Sequence, residues 1–268
     1  MAIDSTTCAA LLQFDGNLTD ATAKTTWVNN NGATFDSGAA KFGSCLFLNG
    51  SYLTSGYTTG LDLLSAGAFV IEGWIRPNST SYTSRRLFST GGGGVAWNYS
   101  NGIHVLLQQN YNQLNFLFAQ NGSGFGVTAD AVITVNTWNH FVVQYDPTGS
   151  GILHIGINGS LQAWAVGQPN RPSNNPTAAI GTIPGETGYT YTGHIDSFRV
   201  SSGTTGDYSG PTYVVPTAPY SLAPPDPNAP QKTTLTLSLN STFFSNPGNV
   251  YTIAGQYATV GTNNTANF

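Results

Sequence analysis

The chain holds only two glutamates, Glu72 and Glu186, which limits the acid–base chemistry open to it. Hydrolysis of a glycoside with retention needs two carboxyl groups about 5 Å apart across the scissile bond. No strand-like run carries two carboxylates at i, i+2 or i, i+4, so no catalytic residue is assigned. His104, His140, His154 and His194 all lie in strand-like runs without a Ser-His-Asp pattern, and they read as structural. The Gly91-Gly92-Gly93-Gly94 run lacks the strand-to-helix context of a phosphate loop. Binding chemistry is better supplied. A sugar presents C–H faces and hydroxyls, which aromatic rings and amides match. Trp97, Asn98 and Tyr99 combine the two kinds of group, as do Gln109 and Tyr111, and Tyr189 and Tyr191 beside Glu186. These eight are the candidate glycan-binding residues.

Composition narrows the classes further. Charged residues make up 7% of the 268, against a usual share of about 25%. The eight basic residues form no stripe that would neutralise phosphates, so nucleic acid is not an expected partner. No run of about 18 apolar residues is present to span a bilayer, so membrane insertion is not expected. Met1-Ala2-Ile3-Asp4 lacks the charged and apolar regions of a secretory leader, and synthesis in a cytoplasm is the expectation. Cys8 and Cys45 have neither metal-knuckle nor redox-pair spacing. They read as two small buried thiols, with a disulfide between neighbouring strands as the alternative.

The elements that must position these groups are strands. With 32 glycines, 14 Phe and 13 Tyr, the chain is rich in turn formers and in rings suited to pleated surfaces. Short alternating runs recur between turn clusters, at residues 10–14, 41–48, 52–54, 69–76, 86–89, 103–108, 114–120, 138–145, 152–157, 177–183 and 193–200. Asn158-Gly159 reads as a type I′ hairpin turn, and Asp146-Pro147-Thr148-Gly149 and Asn121-Gly122-Ser123-Gly124 as further turns. In the run 69–76, Phe69, Ile71 and Ile75 fall on a core face. Val70, Glu72, Trp74 and Arg76 fall on the other, read as half solvated. Pro224 to Pro230 reads as a stiff spacer. Beyond it the alternating Leu235, Leu237 and Leu239 make a strand that needs a partner.

These runs also carry a family pattern. Leu11-Leu12-Gln13-Phe14-Asp15-Gly16 resembles the opening of laminin-G-like, concanavalin-A-like jelly rolls. Phe42 to Gly50, Phe69-Val70-Ile71-Glu72-Gly73-Trp74-Ile75-Arg76-Pro77, Thr137-Trp138-Asn139-His140 and Ile157-Asn158-Gly159 come next, in the family's order. Gly193-His194-Ile195-Asp196-Ser197-Phe198-Arg199 resembles its "IDEFR" segment, with Ser197 in place of an acid. The closing stretch from Tyr208 to Tyr220 is similar to that of phage and bacterial copies.

The resemblance implies an all-β fold: a two-sheet antiparallel jelly-roll sandwich over residues 1–220, a Pro-rich linker over 221–232 and a C-terminal extended β arm over 233–268. It also implies a Ca²⁺ ion of structural kind, with Asp15 and Asp196 in the matching positions, since oxygen ligands suit that cation. Together with the sparse charge, it implies a non-enzymatic bacteriophage virion protein, in capsid decoration or a tail or fibre. Its sandwich would adhere to a surface glycan of the host. Its arm would join other virion proteins or sister subunits, for instance in a trimer. The alternatives are a bacterial cell-surface carbohydrate-binding adhesin and a glucanase-like hydrolase.

Overall fold

The computed structural model describes residues 2–56, 58–63, 67–79, 85–91, 102–108, 113–120, 123–167, 177–183, 189–206 and 208–223. The chain divides into two units, Met1–Pro225 and Asp226–Phe268. The second unit, with most of the linker and all of the predicted arm, lies outside the described residues.

The first unit is a two-sheet antiparallel sandwich. Its strands are β1 (Ala2–Asp4), β2 (Cys8–Leu12), β3 (Trp27–Asn30), β4 (Thr34–Asp36), β5 (Cys45–Asn49), β6 (Tyr52–Ser55), β7 (Phe69–Pro77), β8 (Arg85–Thr90) and β9 (Gly102–Leu107). Then come β10 (Gln113–Gln120), β11 (Ser123–Val132), β12 (Asn139–Asp146), β13 (Ile152–Ile157), β14 (Ser160–Ala165), β15 (Ala178–Ile180), β16 (Thr192–Ser202) and β17 (Ser221–Ala223). One sheet has seven strands in the order β11-β10-β9-β8-β15-β6-β3. The other runs β14-β13-β12-β7-β16-β5-β4, with β2 added against β16. Asn158 (φ +49) and Gly159 (φ +93) make the expected turn between β13 and β14. Ring-rich alternation closes the sheets face to face. Phe69, Ile71, Phe141, Val143, Phe198 and Val200 from one sheet meet Phe88, Val105, Phe116 and Ile180 from the other in one buried core.

β16 organises the larger sheet. Along one edge it pairs with β7 throughout. Along the other its first half, Thr192 to Ile195, pairs with β5, and its second half, Phe198 to Ser201, pairs with β2. The change of partner falls at Asp196-Ser197. There the ladder with β7 bulges, and Ser197 takes φ +45. A bulge re-aims a side chain out of the regular alternation, and here the residue freed is Asp196.

After β16 the chain turns at Gly203 (φ +73) and runs back as a strap over the outer face of the larger sheet. It ends in β17, which pairs in parallel with β1. Ser221–Ala223, placed in the linker by sequence, are therefore a strand of the sandwich unit. Cys8 and Cys45 are both buried free thiols, on strands that pair with opposite ends of β16. Burial pushes their pKa values up, to about 11 and about 12.

Candidate functional site

Among the described residues, three surfaces could do chemistry: the two outer sheet faces and the loop between β4 and β5. The outer face of the larger sheet is closed. Glu72 and Arg199, fully buried, form an ion pair through Oε1 with the guanidinium, whose Nε donates at 2.9 Å. The Tyr208 hydroxyl donates to Glu72 Oε2. The Arg199 guanidinium carbon lies 4.0 Å from the centre of the Tyr220 ring. His140, also fully buried, has Nδ1 3.0 Å from the Tyr213 hydroxyl and Nε2 against that of Tyr220. Burial first, then the positive charges of Arg199 and Lys41, hold its pKa down at about 3. The strap thus supplies three phenols to a face that sequence alternation read as half solvated. Val70, Glu72 and Trp74 are all buried on it. Glu72 is committed to this network and has no access to a substrate.

The loop between β4 and β5 is fastened by carboxylates. Asp196 Oδ2 accepts from the backbone N–H groups of Lys41 (2.9 Å) and Phe42 (2.8 Å). Asp15 Oδ1 accepts from Ser44 N at 2.9 Å. Gly43 (φ +53) is required between them, since a Cβ there would sit 2.2 Å from Asp15 Oδ1. Lys41 Nζ lies 4.0 Å from the Trp74 ring centre, and Trp138 Nε1 donates to Ala39 O at 2.9 Å. Asp196 is fully buried, yet its Oδ1 has no hydrogen-bond partner. Desolvation, aided by the nearby Asp15 charge, raises its pKa to about 7 despite the two N–H donors. An orphaned carboxylate oxygen with a second carboxylate beside it suits a hard cation. The structure brings the two predicted metal ligands together. Among the described residues no cluster of three His, Cys, Asp or Glu adds to them, so further ligands would have to be other oxygens.

The outer face of the seven-stranded sheet is of another kind. Strand register aligns one residue from every strand in a row: Val28, Thr54, Ala179, Ser89, His104, Leu117 and Gly126. Their chain neighbours Leu53, Ile180, Phe88, Val105, Phe116 and Val127 face the core, so the row faces out. Its centre is deep, with Ala179 and Ser89 at 0% and His104 at 3% exposure, and Val28 at one end is 54% exposed. Ser89 Oγ and His104 Nδ1 have no hydrogen-bond partner. Beside this row lies a second, Arg86, Leu106, Asn115 and Thr128. In it Asn115 Nδ2 donates to Thr128 Oγ1, which donates to Gln108 Oε1 at 2.7 Å. Asn115 Oδ1 is also buried without a partner. Burial and the Arg86 charge lower the His104 pKa to about 3, so its ring is neutral.

Of the predicted glycan residues, Tyr189 is brought to this face. Its carbonyl accepts from Arg86 N at 3.0 Å, and the Arg86 guanidinium lies 5.6 Å from its ring centre. Tyr191 is instead fully buried and its hydroxyl donates to His194 O at 3.2 Å, so its ring offers no face to a ligand. Trp97, Asn98, Tyr99, Gln109, Tyr111 and Glu186 lie outside the described residues. Trp97 to Tyr99 belong to the β8–β9 connection and Gln109 and Tyr111 to the β9–β10 connection. Sequence does not single out Ser89 or Asn115, and it reads His104 as structural. Their signal, a polar residue amid alternating apolar ones, is shared by every solvated strand.

A family model described as Laminin_G_3, concanavalin A-like lectin/glucanases superfamily, matches residues 47–206. The chain belongs to the concanavalin A-like lectin/glucanases superfamily. Among solved structures, this superfamily member is similar to the binding domain of botulinum neurotoxin serotype D/C VPI 5993. That match has a TM-score of 0.58 and 16% identity, over 76% of this chain and 50% of that one. It is similar also to the binding domain of Paraclostridial Mosquitocidal Protein 1 (TM-score 0.57, 14% identity, 74% and 49% of the two chains). A third is the binding domain of botulinum neurotoxin DC in complex with SialylT (TM-score 0.57, 15% identity, 76% and 49%). The chain spans about half the length of these structures. At such identities the likeness is one of fold: a lectin-like sandwich of the kind found in receptor-binding domains. No curated protein sequence matches the chain.

Proposed function

We propose that this protein is a non-enzymatic adhesion module that binds a surface glycan on the outer face of its seven-stranded sheet. One observation carries the reading: that face receives Tyr189, whose ring centre lies 5.6 Å from the Arg86 guanidinium, while Tyr208, Tyr213 and Tyr220 of the strap cover the opposite outer face. A binding domain that shares this fold over 49% of its length was solved in complex with SialylT. Ca²⁺, held by Asp15 and Asp196, would neutralise the two carboxylates and secure the loop beside them.

The site of action in this reading is a phage virion, assembled in the host cytoplasm, with residues 226–268 as the anchor to other virion proteins or sister subunits. The closing Tyr208–Tyr220 motif and the sparse charge support it. The test has two arms. Labelled protein should bind cells of the phage's host and lose them when surface polysaccharide is stripped; equal binding to stripped cells sinks the glycan reading. Particles assembled with a chain lacking residues 226–268 should be depleted of the protein, and undiminished incorporation sinks the anchor.

A further inference from the structure

The strap is the part of the sandwich unit that leads into residues 226–268. If those residues anchor the protein while the sandwich holds a cell, tension reaches the sandwich through Ala223, and the inference that follows rests on that reading. β17 and β1 run parallel, in the register Ala2↔Ser221, Ile3↔Leu222 and Asp4↔Ala223. Load therefore enters β17 at Ala223 and leaves β1 through Asp4, at the same end of the pair. The bonds of such a ladder are loaded one after another rather than together. Behind β17 the strap is held at separate points, which a pull from its C-terminal side meets in turn. Ser197 Oγ and Gln13 Nε2 fasten the backbone N–H and carbonyl of Tyr220. Gly159 O accepts from Tyr213 N, and Pro211 O from Leu161 N, both at 2.9 Å. Gln144 holds Tyr208 O at 3.0 Å and Gly206 N at 2.6 Å. β16, the next element back, is held differently. It is 11 residues long and pairs with β7 on one edge and with β5 and β2 on the other. Extracting it breaks two ladders and opens the core, into which Ile195, Phe198 and Val200 point.

We infer that the strap is a tension-released extension of the linker: under load, residues 203–223 peel from the outer face of the larger sheet while β16 and both sheets stay folded. About 20 residues at about 3.4 Å each supply about 70 Å of chain, less the distance they span when docked. The bared sandwich is weaker at equilibrium. The barrier to extracting β16 keeps it folded until the load falls and the strap docks again. Movement between anchor and cell is thereby taken up by the strap before it strains the bound face.

The experiment pulls the full-length chain in optical tweezers, with one handle at the C-terminus. The other handle is attached either through Ser150→Cys, in the exposed β12–β13 turn, or at the N-terminus; Cys8 and Cys45 are buried and do not compete for it. From position 150, the first step of the sandwich unit should release about 70 Å of chain and reverse on relaxation. A five-residue Gly-Ser insertion after Gly210, on the exposed part of the strap, should lengthen that step alone, by about 17 Å. From the N-terminus, load enters the β1–β17 pair at opposite ends and its three register pairs share it. The same release should then need about two to three times the force. If the sandwich pulled from position 150 unfolds in one step, if the insertion leaves the first step unchanged, or if both geometries give way at equal force, the tension-released strap is overturned. None of these outcomes touches the anchor, which is decided by the incorporation of the chain lacking residues 226–268 into particles. Undiminished incorporation would remove the source of the tension and leave the pulling results as they stand.

Discussion

At the scale of single residues, the strap satisfies Glu72, Arg199 and His140 on the outer face of the larger sheet, although Trp74 Nε1 on the same face has no hydrogen-bond partner. Two buried histidines give acid stability a definite sign. Both His104 and His140 have folded pKa values near about 3, below the unfolded value of 6.5. The unfolded chain therefore takes up their protons first, and their contribution to stability is complete above pH 6.5 and lost as pH falls toward about 3. Asp196 opposes them: its folded pKa, raised to about 7 from 3.8, gives stability present at low pH and lost as pH rises through 7. His154 and His194, whose pKa values burial also lowers, act in the same direction, so the histidines outweigh the one carboxyl and stability falls with acidification between about pH 4 and 6.5. Urea midpoints should accordingly fall with acidification across that window, and His104→Leu should flatten the fall. A midpoint that holds or rises on acidification contradicts the burial of these rings. None of this was readable from sequence, where four histidines in strands look alike; only the packing over each ring separates them.

At the scale of elements, alternation located most strands to within a residue or two. The run 69–76 became Phe69–Pro77, and 152–157 became Ile152–Ile157. What it missed were strands whose stability comes from their partners. Trp27–Asn30 and Thr34–Asp36 are short and polar, and Ser123–Val132 carries two glycines, so their patterns are weak although their ladders are regular. Asp15 and Asp196 were legible through the family pattern, but the reason for their placement was not. It depends on β16 exchanging β5 for β2 and on a bulge that no local signal announces. The clamp they make joins the end of β2, the β4–β5 loop and β16. A cation that binds only the folded clamp stabilises by mass action, about 2.7 kcal/mol at a hundredfold excess over its Kd. For a unit of this size that is a rise of about 5–10 °C in melting temperature. Differential scanning calorimetry with Ca²⁺ and then with chelator should show this rise and its reversal, and Asp196→Asn should abolish both. Identical melts in the two conditions, with no heat on titration, would remove the metal from the account.

At the scale of the whole molecule, the question is where the independently folding sandwich stops. Texture alone put the boundary at residue 220, because the prolines from Pro224 to Pro230 dominate the pattern of the next ten residues. The chain stays in the unit further, since β17 pairs with β1 and Tyr220 N donates to Ser197 Oγ at 2.9 Å. Lys24 steadies the β1 side of that pairing, its Nζ donating to the carbonyls of Ser5, Thr6 and Cys8. The strap is held mostly by such polar contacts. Val214 on it is 91% exposed, and among the described residues only Tyr208, Tyr213, Tyr220 and Leu222 pack against apolar neighbours. Its weight in stability therefore comes from what it shields. A chain ending at Pro225 retains every one of these contacts and should unfold in urea at the same midpoint as the first unit of the full chain. A chain ending at Ser202 keeps all the core strands yet bares Glu72, Arg199 and His140 on a face built around three phenols. Loss of hydrogen bonds to charged groups costs about 1.5–3 kcal/mol each, against a total stability of about 5–15 kcal/mol. That shorter chain should be destabilised by several kcal/mol or fail to fold. Equal midpoints for the two truncations would mean that the strap merely lies on the sheet, and that the buried network beneath it contributes nothing to holding the sandwich together.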